Sequence, residues 1–231
     1  MKKSNIFNLV IIISLFLFIA EPTTVLIAKN FISKNTPDTL IYFISILLAP
    51  LAYLITYWCY KFIKGIKFNL IEFLKEQVSS FKIKYFKGVL YGLGLFFIII
   101  VFNILYGFIV NYSSKGTPDN VSGLLSVPIA ISIIIGGLII PFTEEIVFRA
   151  GLRNILKDVS RPTYMFLSSL TFALVHIQNL DNIVLLISSV ITAFISGLFL
   201  SYIFEKNKNI FPSFFAHSTY NTIILLIQFS M

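Results

Sequence analysis

Cysteine is almost missing from this 231-residue chain, with Cys59 the only one. An internal disulfide is thereby excluded. Cys59 sits beside Trp58 with nothing near it to activate a thiol, and it reads as a packing or lipid-facing side chain. Charge is scarce as well: Asp, Glu, Lys and Arg make up 12% of the residues, and only 10 are acidic. There are two histidines and one tryptophan. Repeats, low-complexity tracts and long linkers are lacking, so a single membrane domain over 1–231 accounts for the whole length. The abundant material is apolar. Hydrophobic residues reach 57% and the mean hydropathy is +0.90, which excludes an ordinary soluble domain.

Seven apolar runs approach the roughly 20 residues needed to cross a bilayer. They are Ile6–Ala28, Leu40–Tyr60, Gly88–Val110, Leu124–Val147, Pro162–His176, Ile183–Phe204 and Ile210–Phe229. The expected fold is therefore all-α: a polytopic integral membrane bundle of about seven transmembrane helices. The opening "MKKSNIFNLVIIISLFLFIA" is read as an uncleaved first span, since the apolar run resumes after Glu21-Pro22. Its N-terminal spans and a surface helix occupy 1–123, and 124–229 forms the motif-bearing core.

The net charge of +8 has a membrane explanation rather than a nucleic-acid one. With the N-terminus inside, 15 of the 18 Lys and Arg residues fall in cytoplasmic segments, and only Lys29, Lys34 and Lys115 lie outside. That split follows the positive-inside rule and predicts a cytoplasmic N-terminus and an outer C-terminus. The basic surface faces anionic lipid. Between the second and third runs, Leu70, Ile71, Phe73, Leu74, Val78 and Phe81 recur at helical spacing among charged residues, which predicts an anchoring helix on the cytoplasmic surface. Ser189, Ala193, Gly197 and Ser201 form a small-residue stripe suited to close helix approach, and Gly88 with Gly92 forms a shorter one.

The stretch "PFTEEIVFRAGLRN" places Glu144, Glu145 and Arg149 at the end of an uncharged run. Ionisable groups in lipid are costly and mark functional sites. Glu145 and Arg149 are four apart, acid before base, and can pair on one helix face. Glu144 is turned about 100° away and is left without an obvious partner, which suits a general base holding a water. Alternatively, both glutamates pair with Arg149 or sit in headgroup water. Both histidines also fall in apolar runs. Glu144 and His176 lie equally far from the expected turn at Ser160, so they meet at one level of an antiparallel hairpin. His217 and Gly197 lie equally far from the turn at Asn207, which seats the histidine against the glycine about 15 Å from the helix end. Asn221 follows His217 by four residues on the same face. Two such donors fit an oxyanion site, although ordinary interhelical bonding explains Asn221 as well.

"EEIVFR", "FALVH" and "HSTYN" match the motifs E-E-x-x-x-R, F-x-x-x-H and H-x-x-x-N in that order. Over Leu124 to Phe229 the chain resembles the CAAX protease and bacteriocin-processing family of intramembrane proteases, which includes the type II CAAX prenyl endopeptidase. The resemblance implies an endopeptidase in which Glu144 activates water, His176 helps bind it, Glu145 orients the site through Arg149, and His217 with Asn221 forms the oxyanion hole. Phe172 is then the packing residue of its motif. A membrane-associated protein or peptide is the expected substrate, cleaved near the cytoplasmic face: a prenylated protein by the resemblance, or a leader peptide, signalling peptide or small membrane protein if the residue usage reflects a bacterial plasma membrane. No cofactor is expected. Zinc held by Glu144, His176 and His217 is the alternative, disfavoured because H-E-x-x-H is absent and Asn221 has no task in a zinc shell. Two other functions stand beside the protease: a bacteriocin self-immunity or membrane partner protein, and a transporter, for which Gly136-Gly137, Pro128 and Pro141 speak.

Overall fold

The computed structural model describes residues 69–110, 124–125, 128–177 and 182–230. The runs expected to span at Ile6–Ala28 and Leu40–Tyr60, together with Cys59, lie outside the described residues. What is described is helical. A surface helix α1 (Leu70–Ser79) begins where the Asn69 side chain accepts the N–H groups of Ile71 and Glu72. A 3₁₀ turn (Ile83–Phe86) leads into α2 (Lys87–Val110). Then come α3 (Ile129–Ile155), α4 (Arg161–Val175), α5 (Ile183–Asn207) and α6 (Ile210–Ser230). Ser160 caps α4 by accepting the Thr163 N–H, and Asn182 caps α5. Lys208, at φ 52°, ends α5 in the left-handed conformation and turns the chain into α6.

Among the described residues, α2 with its leading turn, α3, α5 and α6 are the four helices long and apolar enough to cross a membrane. The chain is thus an integral membrane protein. The expected fifth span, Pro162–His176, is a 15-residue helix that falls short of that length. The fourth was expected to stop at Val147 and instead runs to Ile155. Arg149 does not end it, because the guanidinium is buried and ion-paired with Glu145. The apolar window of α3 is 61% buried, against 11% for α2, so α3 is the central helix and α2 faces outward. Every residue from Thr143 to Leu152 is buried.

Small residues set the close crossings. A Cβ on Gly92 would lie 2.5 Å from the carbonyl oxygen of Ala216 and 2.6 Å from the Thr219 Cβ, and Gly88 is equally tight against Pro212 and Phe215. The short stripe therefore joins α2 to α6. Gly197 serves a different neighbour from the expected one. A Cβ there would meet Ser169 of α4 at 2.9 Å, so the stripe on α5 receives α4 and not His217. Gly92→Ala should destabilise the protein by about 1–3 kcal/mol, the usual penalty of overpacking. Gly94→Ala is the control, since a Cβ there meets nothing within 4 Å. Thermal unfolding in mild detergent compares the two, and equal midpoints would count against the tight α2–α6 crossing.

Candidate functional site

The site begins with an irregularity in α3. Residues Ile133–Ile139 form a widened π turn just before Pro141, in which the Ile140 N–H reaches Ile135 O. The next carbonyl, Gly136 O, would need a donor at position 141, and proline has none. Asn221 of α6 supplies it, with Nδ2 donating to Gly136 O at 3.1 Å. The glycine pair makes room for this approach: a Cβ on Gly137 would stand 2.6 Å from Thr222 Oγ1. A second widened turn, Ile146–Gly151, follows the glutamates directly. It presents the Phe148 and Arg149 carbonyls to α4. Tyr164 OH donates to both at 3.1 and 3.2 Å, and Ser168 Oγ donates to Phe148 O at 3.0 Å. Buried backbone groups freed by irregular helix must be satisfied this way.

Between the two widened turns sit Glu144 and Glu145. Glu145 is fully buried, with Oε2 3.2 Å from Arg149 Nε and Oε1 3.1 Å from His217 Nδ1. Arg149, also fully buried, donates through Nη1 to Ser168 Oγ at 2.9 Å and lies over the Phe172 ring. Glu144 is not left without partners, as its position on the wheel suggested. Its Oε1 is 3.6 Å from His176 Nε2, and its Oε2 is 3.5 Å from His217 Nε2. The carboxylate thus lies between two imidazoles.

Each imidazole is held from behind. His176 caps the end of α4 and its Nδ1 lies 2.7 Å from Phe172 O. A carbonyl only accepts, so this nitrogen carries the hydrogen, and Nε2 faces Glu144. His217 Nδ1 donates to Glu145, whose ion pair with Arg149 keeps it an acceptor. Phe172 packs against both rings, with centroids 4.2 Å from His176 and 5.8 Å from His217. His217 lies seven residues into α6, about 10 Å from its start, shallower than the turn at Asn207 implied.

Five of the six residues read from the sequence therefore form one contiguous set. Asn221 lies a turn further along α6, bonded to Gly136. Among the described residues, no three His, Cys, Asp or Glu side chains are arranged to hold a metal ion.

Residues 126–223 match the family model described as Rce1-like, type II CAAX prenyl endopeptidase Rce1-like. This segment is similar to Rce1-like domains. It holds all six candidate residues, from Glu144 to Asn221, and at the family level it supports a CAAX-type intramembrane protease. No curated protein and no solved structure matches the chain.

The matched segment contains one cluster that motif reading missed. Glu205, at the end of α5, is buried and accepts from Arg153 Nε at 2.8 Å, Arg161 Nε at 3.1 Å and Lys208 Nζ. Arg161 Nη2 also donates to Glu205 O, and Arg153 Nη1 donates to Leu156 O. This ties the α3–α4 turn to the α5–α6 turn and joins α3, α4 and α5. The available signal was a lone acid among lysines in "FEKNK".

Proposed function

We propose that the protein is an intramembrane endopeptidase that hydrolyses a peptide bond with a water activated by Glu144. The observation that carries this reading is the Glu144 carboxylate set between two Nε2 atoms, at 3.6 and 3.5 Å, with each histidine's Nδ1 already engaged. Glu144 and the His176 lone pair both accept, so one water can give a hydrogen to each and keep its oxygen lone pair for the substrate. That oxygen bonds to the scissile carbonyl carbon while its proton passes to Glu144. The C–N bond then breaks, and Glu144 returns the proton to the leaving amine.

The negative charge that develops on the carbonyl oxygen needs donors. His217 is one. Its Nε2 lies 3.5 Å from Glu144, beside the place of the attacking water. Its Nε2–H then donates to the oxyanion. The amide hydrogen of Asn221 not given to Gly136 is the second donor. Glu145 and Arg149 position His217 and do not touch the substrate.

Glu205 joins the turns at Ser160 and Lys208 at one end of the bundle. Arg153, Lys157, Arg161, Lys206 and Lys208 gather there, and by the positive-inside rule that side is cytoplasmic. The substrate is a protein or peptide associated with that face of a bacterial plasma membrane. The test compares the peptides of cells carrying the wild-type protein with those of cells carrying Glu144→Ala at matched abundance. Fragments present only with the wild type are the expected result. Identical peptide pools would remove the endopeptidase and leave the immunity or partner reading.

A further inference from the structure

We infer that Gln77 of the surface helix is a positioning residue for His217, an inference that rests on the role given to His217 above. Gln77 stands out on α1 because it is a polar amide turned inward. It is 5% exposed, whereas Ile71 and Val78 on the same helix are 66% and 62% exposed. A buried amide is tolerated only when bonded. Gln77 Oε1 accepts the Ile210 N–H at 2.8 Å, from 133 residues away in the chain. Asn209, equally buried, returns the contact: its Nδ2 donates to Gln77 O at 3.0 Å and to Ser80 Oγ at 3.1 Å, while its Oδ1 accepts the Phe211 N–H at 2.9 Å. First-turn N–H groups and last-turn carbonyls are the unpaired groups of helices. Here the end of α1 and the start of α6 cap each other through two amide side chains.

The clasp grips α6 at Ile210, and His217 follows seven residues later on the same face. Adhesion between the two elements has another source, the aromatic cluster in which Phe81 meets Phe211 at 5.1 Å and Phe86 stacks on Phe215 at 4.9 Å. Rings of this kind resist separation but fix rotation weakly. The directional bond at Ile210 fixes the turn of α6 about its axis at the end nearest His217, while the α2 crossing at Gly88 and Gly92 and the Asn221–Gly136 bond hold its other faces. A turn of about 20° moves a side chain at the helix surface by about 2 Å. His217 bridges Glu144 and Glu145 at 3.5 and 3.1 Å, and a shift of that size breaks both contacts.

The chain has two histidines, so ¹⁵N-histidine labelling of the full-length protein reports each imidazole separately by NMR, without any need for turnover. In Gln77→Leu the His217 signals should move and those of His176 stay. Cleavage of a peptide identified by the comparison above should lose about 10- to 100-fold in kcat with KM within two-fold, the scale of an ångström-sized misplacement. Gln77→Glu keeps an acceptor for the Ile210 N–H and should restore both readouts. If the leucine variant does not accumulate, Asn209→Asp makes the same comparison, since it keeps the bond to Phe211 and loses the donation to Gln77. Unmoved His217 signals in a folded variant overturn the inference, and so do moved signals with unchanged kcat. If the wild-type protein cleaves nothing, the endopeptidase reading fails on its own, and the NMR arm still decides whether Gln77 positions His217.

Discussion

Glu144→Gln should abolish turnover while leaving the protein folded. Glutamine keeps the size of the side chain and its capacity to accept from His217, and it removes the one group able to take a proton from water. General bases contribute about 10²- to 10⁴-fold, so kcat should fall by that range with KM little changed. Stability should hold, because Glu144 contacts the histidines at 3.5 and 3.6 Å without a formal cation of its own on α3. The purified variant and the wild type should be compared on one peptide in one detergent. Full activity in the glutamine variant would end the mechanism. The same preparations distinguish the zinc alternative: wild-type activity should survive prolonged exposure to a strong chelator, with no stoichiometric zinc by elemental analysis. Activity lost on chelation and regained with zinc would reassign Glu144, His176 and His217 as ligands.

Glu145→Gln should act first on the fold. Glu145 and Arg149 are both fully buried, and removing the carboxylate strands a guanidinium that has no route to water. Breaking one partner of such a pair costs about 3–5 kcal/mol. The midpoint of unfolding in mild detergent should drop sharply. Adding Arg149→Met to the same chain removes the stranded charge and should recover part of the stability. It should not recover activity, because His217 has still lost the carboxylate that orients its ring at 3.1 Å. A double variant as active as the wild type would show that Glu145 matters to folding alone.

The sequence carried much of this site in its spacing. Equal counts from Ser160 paired Glu144 with His176, and the helical step of four paired Glu145 with Arg149. Both counts assume a regular helix, and the contacts form although α3 widens at Ile146–Gly151. The contact of His217 with Glu145 and Glu144 was not legible, since no count relates α6 to α3. Gly197 misled for a related reason: a glycine shows that something comes near, and α4, not the histidine, is what comes. The end of α3 was misjudged because a charge reads as a helix end in lipid until its partner is known to be buried with it. Glu205 escaped notice because two of its three basic partners, Arg153 and Arg161, come from distant stretches of chain. The seven-span expectation rests on runs of which two lie outside the described residues and one, α4, is short.

The two widened turns of α3 bracket the glutamate pair, and each carries one residue more than a regular turn would. On a helix every residue adds about 100° of rotation, so everything beyond a widened turn points elsewhere than a plain helix of the same sequence would send it. Deleting one apolar residue from Ile133–Ile139 would leave hydropathy and length of the span almost untouched, yet it would swing Glu144 and Glu145 off the histidines together. Apart from Gly136 and Gly137, where a Cβ would collide, the apolar residues of Ile133–Ile139 can therefore change in kind but not in number: their identity serves the membrane, and their count aims the carboxylates.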